Sequence, residues 1–332
     1  MVPGLLSLEK YRQIERAMKV PVEKGESVLY QGITASAFER DYRYKRLIGR
    51  TMFETDRLPM GWADACNAMD EVWVPSRFNA ETFIRAGVAP EKVKLVPAGV
   101  DTEEYRPGLV PLEIPGRRKF TFLSIFEWSY RKGWDVLLRA IASQFHRDDD
   151  VAFIIKTSTR YSPTADPVGE MIALLEGQMQ KRLEDLPPII LLSGYLSAQE
   201  LCRLYASADA FVLPTRGEGY GRPFMEAMSC GLPVIATRWS GQLDFMHEGN
   251  SYLVDVESMV PVTPVMDQAL YAGHMWAEPS VDHLAELMGR VVRDPDEAKR
   301  KGGLARQEMV RDWDWRVIGH RFVQEVQRVT ES

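Results

Sequence analysis

From Phe120 onward the chain alternates short apolar runs with stretches of helical periodicity, and no other feature constrains the fold as much. Residues 120–126 read as a strand, after which Trp134, Leu137, Leu138, Ile141 and Phe145 recur at helical spacing. Further strands read at 151–156, 189–193, 210–214, 233–237 and 251–254. Between them, Ser197 and Glu200 have the spacing of a capping box, in which serine and glutamate satisfy each other's free backbone N–H groups. Strand and helix in repeated alternation predict a parallel sheet covered on both faces.

The first hundred residues show a weaker version of the rhythm. Strands are expected at 28–31, 48–53, 71–75 and 93–97, with a helix at 79–86 closed by Gly87. Three prolines and two glycines fall in residues 107–116, which reads as a linker. A length of 332 residues suits two domains of ordinary size. The reading therefore divides the chain into 1–107, a linker at 108–118, 119–312 and a last helix at 313–332. Residues 259–279 have no readable period.

Composition excludes several classes of function. Hydrophobic residues at 45% and charged residues at 27% belong to a globular chain rather than a disordered one. The net charge of -6, from 41 basic and 47 acidic residues, gives no electrostatic reason to bind nucleic acid. Cys66, Cys202 and Cys230 lie far apart without Cys-x-x-Cys spacing, so neither a disulfide framework nor structural zinc is expected. No apolar stretch approaches the roughly 20 residues of a membrane span. Met1-Val2-Pro3-Gly4 lacks the layout of a signal peptide, so a cytoplasmic protein is expected. Residues 5–19 are amphipathic, with apolar Leu5, Leu8, Tyr11, Ile14 and Met18 beside Lys10, Arg12, Arg16 and Lys19. That pattern fits a packed helix or peripheral contact with a membrane surface. It leaves the oligomeric state open.

In an open parallel sheet, ligands bind where strand ends lead into helix N-termini. The strongest such junction is the loop from Pro214 to Met228, where Gly217, Gly219 and Gly221 follow a strand and Pro223 stands where a helix begins. Glycines admit a ligand close to the backbone, and the free N–H groups of a helix start favour an anion such as a diphosphate. Glu218 falls in the loop and Glu226 in the first helical turn, so two carboxylates flank the anion position. Arg131 and Lys132, between the 120–126 strand and its helix, can point into the same cleft. A departing nucleoside diphosphate gains negative charge, which fixed cations would stabilise.

This block is similar to the E-x7-E motif of the family-4 retaining glycosyltransferases, running from Glu218 to Glu226 and continuing through Ala227, Met228, Cys230, Gly231, Pro233 and Thr237. Residues 131–138 resemble the family's diphosphate-binding turn, although Glu127 stands where most relatives have arginine. Residues 72–76 and 96–101 resemble the end of its first domain. The resemblance implies an α/β GT-B fold, with two Rossmann-like domains facing across a cleft and a shortened N-terminal domain. It implies a retaining hexosyltransferase using a UDP- or GDP-linked sugar and an unidentified acceptor; no cofactor is expected, and no essential metal, for want of a credible Asp-x-Asp site at a strand end. Glu218, Arg131 and Lys132 would be catalytic. Gly219, Tyr220, Gly221, Arg222, Pro223, Glu226 and Tyr195 would bind the donor, Glu226 holding the ribose. Gly32, Glu54 and Asp56 are the acceptor-side candidates, since the histidine that many relatives place near the reacting sugar has no counterpart; a surface-loop position is an equal reading for the two acids.

Asp148-Asp149-Asp150, Asp294-Pro295-Asp296 and Asp312-Trp313-Asp314 read as turns and helix caps rather than hard-cation sites. No Gly-x-Gly-x-x-Gly follows a strand, which disfavours a nicotinamide enzyme. Two rival readings stay open: a non-catalytic sugar-nucleotide-binding subunit completed by a partner chain, and a hydrolase or epimerase of the same fold.

Overall fold

A computed structural model of the chain describes residues 19–160, 162–263 and 270–331, together with Arg12 and Arg16. The reading of residues 5–19 as an amphipathic helix falls almost wholly outside these residues. No helix among the described residues is long and apolar enough to cross a membrane.

Strands β1 (Val28–Gly32), β2 (Arg46–Arg50), β3 (Glu71–Val74) and β4 (Val93–Leu95) form a parallel sheet in the order β1-β2-β3-β4. Helices α1 (Trp62–Asn67) and α2 (Arg77–Arg85) make the crossovers β2–β3 and β3–β4. Right-handed crossovers that always step the same way put both helices on one face. The alternation of side chains along the strands shows it: Leu47, Val72 and Val74 pack with Trp62 and Phe83, while Ile48 and Trp73 face the other way. Ser76 starts α2 by accepting a hydrogen bond from the Asn79 N–H, so the helix begins earlier than its apolar pattern suggests.

The second sheet holds β5 (Phe120–Glu127), β6 (Val151–Ser158), β7 (Ile189–Leu192), β8 (Ala210–Leu213), β9 (Val234–Thr237) and β10 (Tyr252–Val254), all parallel. Its helices are α3 (Trp134–Gln144), α4 (Pro167–Leu174), α5 (Ala198–Tyr205) and α6 (Arg222–Ser229), followed after β10 by α7 (Val281–Arg293) and α8 (Pro295–Glu308). Every residue of β8, β9 and β10 is buried, as expected of parallel strands covered on both faces. The Ser197–Glu200 capping box is present in both directions at the start of α5.

Residues 256–279, mostly unreadable in the sequence, contain an antiparallel pair, β11 (Val256–Pro261) and β12 (Met275–Pro279). Helix α9 (Trp315–Glu331) returns to the first sheet and covers the face opposite α1 and α2. Phe322 stands edge-on to Trp73 and Tyr30, with ring centroids 5.4 and 6.0 Å apart. Arg328 pairs with Glu71 at 2.7 Å. Residues 108–118 do not hang free, because Leu109, Leu112 and Ile114 pack on the core of the second sheet.

Candidate functional site

The second sheet runs β10-β9-β8-β5-β6-β7, so its connections diverge between β5 and β8 and open a crevice at their carboxyl ends. Two turns meet there. After β5 the chain makes a tight 3-10 turn at Tyr130–Lys132, and Gly133 then takes φ 69° to start α3. A Cβ at position 133 would stand 1.9 Å from the Pro214 carbonyl oxygen, so the turn lies directly against the exit of β8. The backbone N–H of Arg216 donates to the Arg131 carbonyl at 2.7 Å, and Arg131 Nη1 donates to the Gly217 carbonyl at 2.6 Å.

These contacts bring the three catalytic candidates together. Lys132 Nζ lies 2.5 Å from Glu218 Oε1, and Arg131 Nη1 lies 3.5 Å from Glu218 Oε2. Burial alone would raise the Glu218 carboxyl, but Lys132 and Arg131 outweigh it and hold the group below its usual value. Burial pulls the Lys132 ammonium down, with the Glu218 carboxylate as its main counterweight. The Glu218 backbone is fixed too: its N–H donates to Ser240 Oγ and its carbonyl accepts from the Gly241 N–H.

Glu226 forms a separate cluster. Its carboxylate accepts from the Tyr205 hydroxyl at 2.8 Å and lies 3.4 Å from Arg222. Here burial wins: it raises the Glu226 carboxyl above its usual value, offset in part by Arg222 and Tyr205. The sequence reading put Glu226 in the first turn of its helix, and the structure corrects this. With Gly221 as the cap and Arg222 as the first helical residue, Glu226 lies beyond the first turn, which holds no acid. Its carboxylate therefore answers to Tyr205 and Arg222 rather than to the helix terminus.

The cleft beside these clusters is a cavity of about 1680 Å³, lined among others by Arg131, Lys132, Pro223 and Tyr195. Tyr195 is largely exposed there. Gly219 and Tyr220 instead join the two domains: the Gly219 carbonyl accepts from Ser76 Oγ at 2.8 Å, and the Tyr220 hydroxyl donates to the Ala98 carbonyl at 2.5 Å. A Cβ at Gly217 would stand 2.1 Å from the Glu54 carbonyl oxygen, so the first domain presses on the loop itself.

The acceptor-side candidates separate. Glu54 reaches the site, 3.8 Å from Arg131 Nη2. Asp56 is occupied elsewhere: its carboxylate pairs with Arg57 and accepts the Met275 N–H at 2.7 Å. Gly32 ends β1 next to the Tyr30 ring. Sequence reasoning missed Tyr271 and Trp276, which line the cavity from the β11–β12 segment, and Arg216, whose side chain is fully buried. The available signal for Arg216 was an arginine inside the glycine-rich loop, two residues before Glu218.

Among the described residues no group of three or more His, Cys, Asp or Glu is placed to hold a metal ion. Asp149 and Asp150 accept the backbone N–H groups of His146 and Lys119, Asp294 caps α8, and Asp314 holds Thr102 and the Arg316 N–H.

The fold is similar to that of Anabaena HepE in complex with UDP and glucose, with a TM-score of 0.68, 16% identity, and coverage of 98% of this chain and 84% of that one. It is likewise similar to the sucrose-phosphate synthase of Thermosynechococcus elongatus, with a TM-score of 0.67, 18% identity, and coverage of 97% and 78%. The chain has the GT-B fold: two Rossmann-like domains facing across a cleft, the first with a reduced sheet. Within it, residues 117–262 match the family model described as glycosyl transferases group 1. A GDP-mannose-dependent monoacylated alpha-(1-6)-phosphatidylinositol monomannoside mannosyltransferase of Corynebacterium glutamicum is 25% identical over 261 residues, 74% of this chain and 59% of the relative. D-inositol 3-phosphate glycosyltransferase 1 of Catenulispora acidiphila is 33% identical over 166 residues, 47% of this chain and 37% of the relative. The matched stretch thus covers 59% of the first of these curated relatives and 37% of the second.

Proposed function

We propose that the chain is a retaining glycosyltransferase that moves a sugar from a UDP- or GDP-linked donor to an acceptor hydroxyl. The observation that carries the reading is the buried contact of Glu218 with Lys132 and Arg131 where β5 and β8 end. In the free chain the Glu218 carboxylate neutralises the two cations. An incoming diphosphate takes over that role, and Glu218 is released toward the donor sugar. The cations then stabilise the charge that develops on the departing nucleoside diphosphate. The free N–H groups at the start of α6 add to the anion site, and Glu226 holds the ribose hydroxyls. Attack from the face the phosphate leaves keeps the anomeric configuration and needs no carboxylate nucleophile. The names of the mannosyltransferase and inositol-phosphate glycosyltransferase relatives support the transfer chemistry.

Glu218→Gln keeps the shape of the side chain and removes its charge. Turnover is expected to fall about a hundredfold, in the range of one lost transition-state contact. Donor affinity is expected to hold or tighten, because the anion competing for Lys132 is gone. Donor dissociation constants and donor consumption for both proteins decide it. Equal losses of affinity and turnover would sink the assignment of Glu218, and a wild type that binds donor but never consumes it would sink the enzyme reading.

The same cations are proposed to do without a metal. Activity should survive exhaustive chelation; recovery only on adding Mg²⁺ or Mn²⁺ would overturn this.

A further inference from the structure

Two residues before Glu218, the Arg216 side chain is fully buried and uses all five of its N–H donors. Nη1 and Nη2 each donate to a carboxylate oxygen of Asp135 at 2.8 Å. Nε and Nη2 donate to the two oxygens of Glu278 at 2.8 and 2.7 Å. The remaining Nη1 proton goes to the Tyr130 carbonyl at 2.7 Å, and the Tyr130 ring lies 3.7 Å over the guanidinium carbon.

These partners flank the functional turn on both sides. Tyr130 precedes Arg131 and Lys132, and Asp135 follows them in the first turn of α3. Glu278 comes from β12, where the Ala277 N–H also donates to the Arg216 carbonyl at 3.1 Å. The same strand begins on the first domain: the Asp56 N–H donates to the Met275 carbonyl at 3.1 Å, and His274 Nδ1 lies 2.7 Å from Thr55 Oγ1. One guanidinium thus joins the Glu218 loop, the Arg131–Lys132 turn and a strand anchored beside Glu54.

Stability alone is a poor account of this arrangement. A buried arginine between two carboxylates is often matched or exceeded in stability by well-packed apolar residues of the same volume. What apolar packing does not supply is a rigid planar fork that sets two chain segments at a defined separation and angle, and lysine does not supply it either.

We propose that Arg216 is a positioning residue that holds the Glu218 carboxylate and the Arg131–Lys132 turn at the spacing a sugar diphosphate spans, with Glu278 as its outer anchor. The inference rests on the glycosyltransferase reading for its consequence in turnover, but its geometric content is measurable without turnover.

Amide hydrogen exchange and donor kinetics are compared for wild type, Arg216→Lys, Glu278→Gln and a control, Phe322→Ala, whose ring packs on the face of the first sheet covered by α9. Exchange at residues 130–133 and 215–219 should quicken about tenfold or more in both loop variants, while β5 and β8 keep their protection. Turnover should fall by up to about a hundredfold, by more than the donor KM rises, as misplacement of reacting groups predicts. Phe322→Ala should lower the melting temperature and leave both segments protected. If Arg216→Lys behaves as wild type, or if exchange follows the melting temperature in all variants alike, the proposal is overturned. Should Arg216→Lys fail to fold, Glu278→Gln decides by the same two readouts. If wild type consumes no donor while the exchange pattern is as expected, the functional reading fails and the positioning role stands.

Discussion

Glu226 and Glu218 are both buried carboxylates, yet their surroundings push them in opposite directions. Glu218 faces two cations, whereas Glu226 has the Tyr205 hydroxyl and a mostly exposed Arg222. With its pKa raised in the folded state, Glu226 binds a proton more tightly in the fold than in the unfolded chain. Its burial therefore lowers stability at neutral pH, and that loss is recovered as pH falls through the raised value. Glu226→Gln should accordingly raise the melting temperature of the ligand-free protein at pH 7, by an amount that shrinks toward pH 4. The same change should weaken nucleoside binding roughly 10- to 100-fold, since each hydrogen bond to a charged acceptor contributes about 1.5–3 kcal/mol. Thermal melts and calorimetric titration with nucleoside check the two halves; an unchanged nucleoside affinity contradicts the ribose role, and a lowered melting temperature contradicts the account of its burial. At this scale the sequence makes the acids and bases legible, because their spacing from the loop glycines is local information. Arg216 and Asp56 are not legible, since what each does is set by Glu278 and Met275, far along the chain.

Among the elements, the second sheet is readable because β8, β9 and β10 are buried on both faces and its strands appear as apolar runs of strand length. The pair β11–β12 is not. β11 is largely exposed, β12 is short and mixed, and the long connection between them carries no tight-turn signature. Helix α1 hides for another reason: it has only six residues and starts at Gly61 without a side-chain cap. The element on which the site most depends is the turn before α3, where backbone meets backbone at Gly133. Gly133→Ala adds a Cβ that cannot coexist with the Pro214 carbonyl and places a non-glycine residue at positive φ. The turn must lift off β8. A loss of about 1–3 kcal/mol in stability is expected, with nucleoside diphosphate affinity falling far more than affinity for nucleoside alone. Denaturant melts and parallel titrations test this, and an unchanged diphosphate affinity would count against the anion site at this turn.

For the molecule as a whole, the two domains are held in contact by small, specific bonds: Ser76 to Gly219, Tyr220 to Ala98, Asp56 to Met275, and the Arg77–Asp244 pair. Helix α9 adds a covalent return. The Val100 N–H donates to the Trp313 carbonyl, and the Trp315 N–H donates back to Val100. The first sheet thus depends on residues at the opposite end of the described chain. Phe322→Ala, which removes the ring between Trp73 and Tyr30, should destabilise the first domain by about 2–3 kcal/mol, below the usual Phe→Ala range because the ring is only partly buried. Unfolding followed at Trp73 should shift to lower denaturant while the second domain holds; a common shift in both would mean the domains unfold as one.

The return of α9 also sets a timetable for synthesis. On the ribosome, Ile48, Trp73 and Val96 emerge long before Phe322 and Val329, which cover them. At about 5–20 residues per second that apolar face waits roughly 10 to 45 s for its cover. Throughout that interval the nascent first domain exposes apolar surface of the kind that aggregates or engages chaperones, and a chain cut short before α9 would expose it permanently.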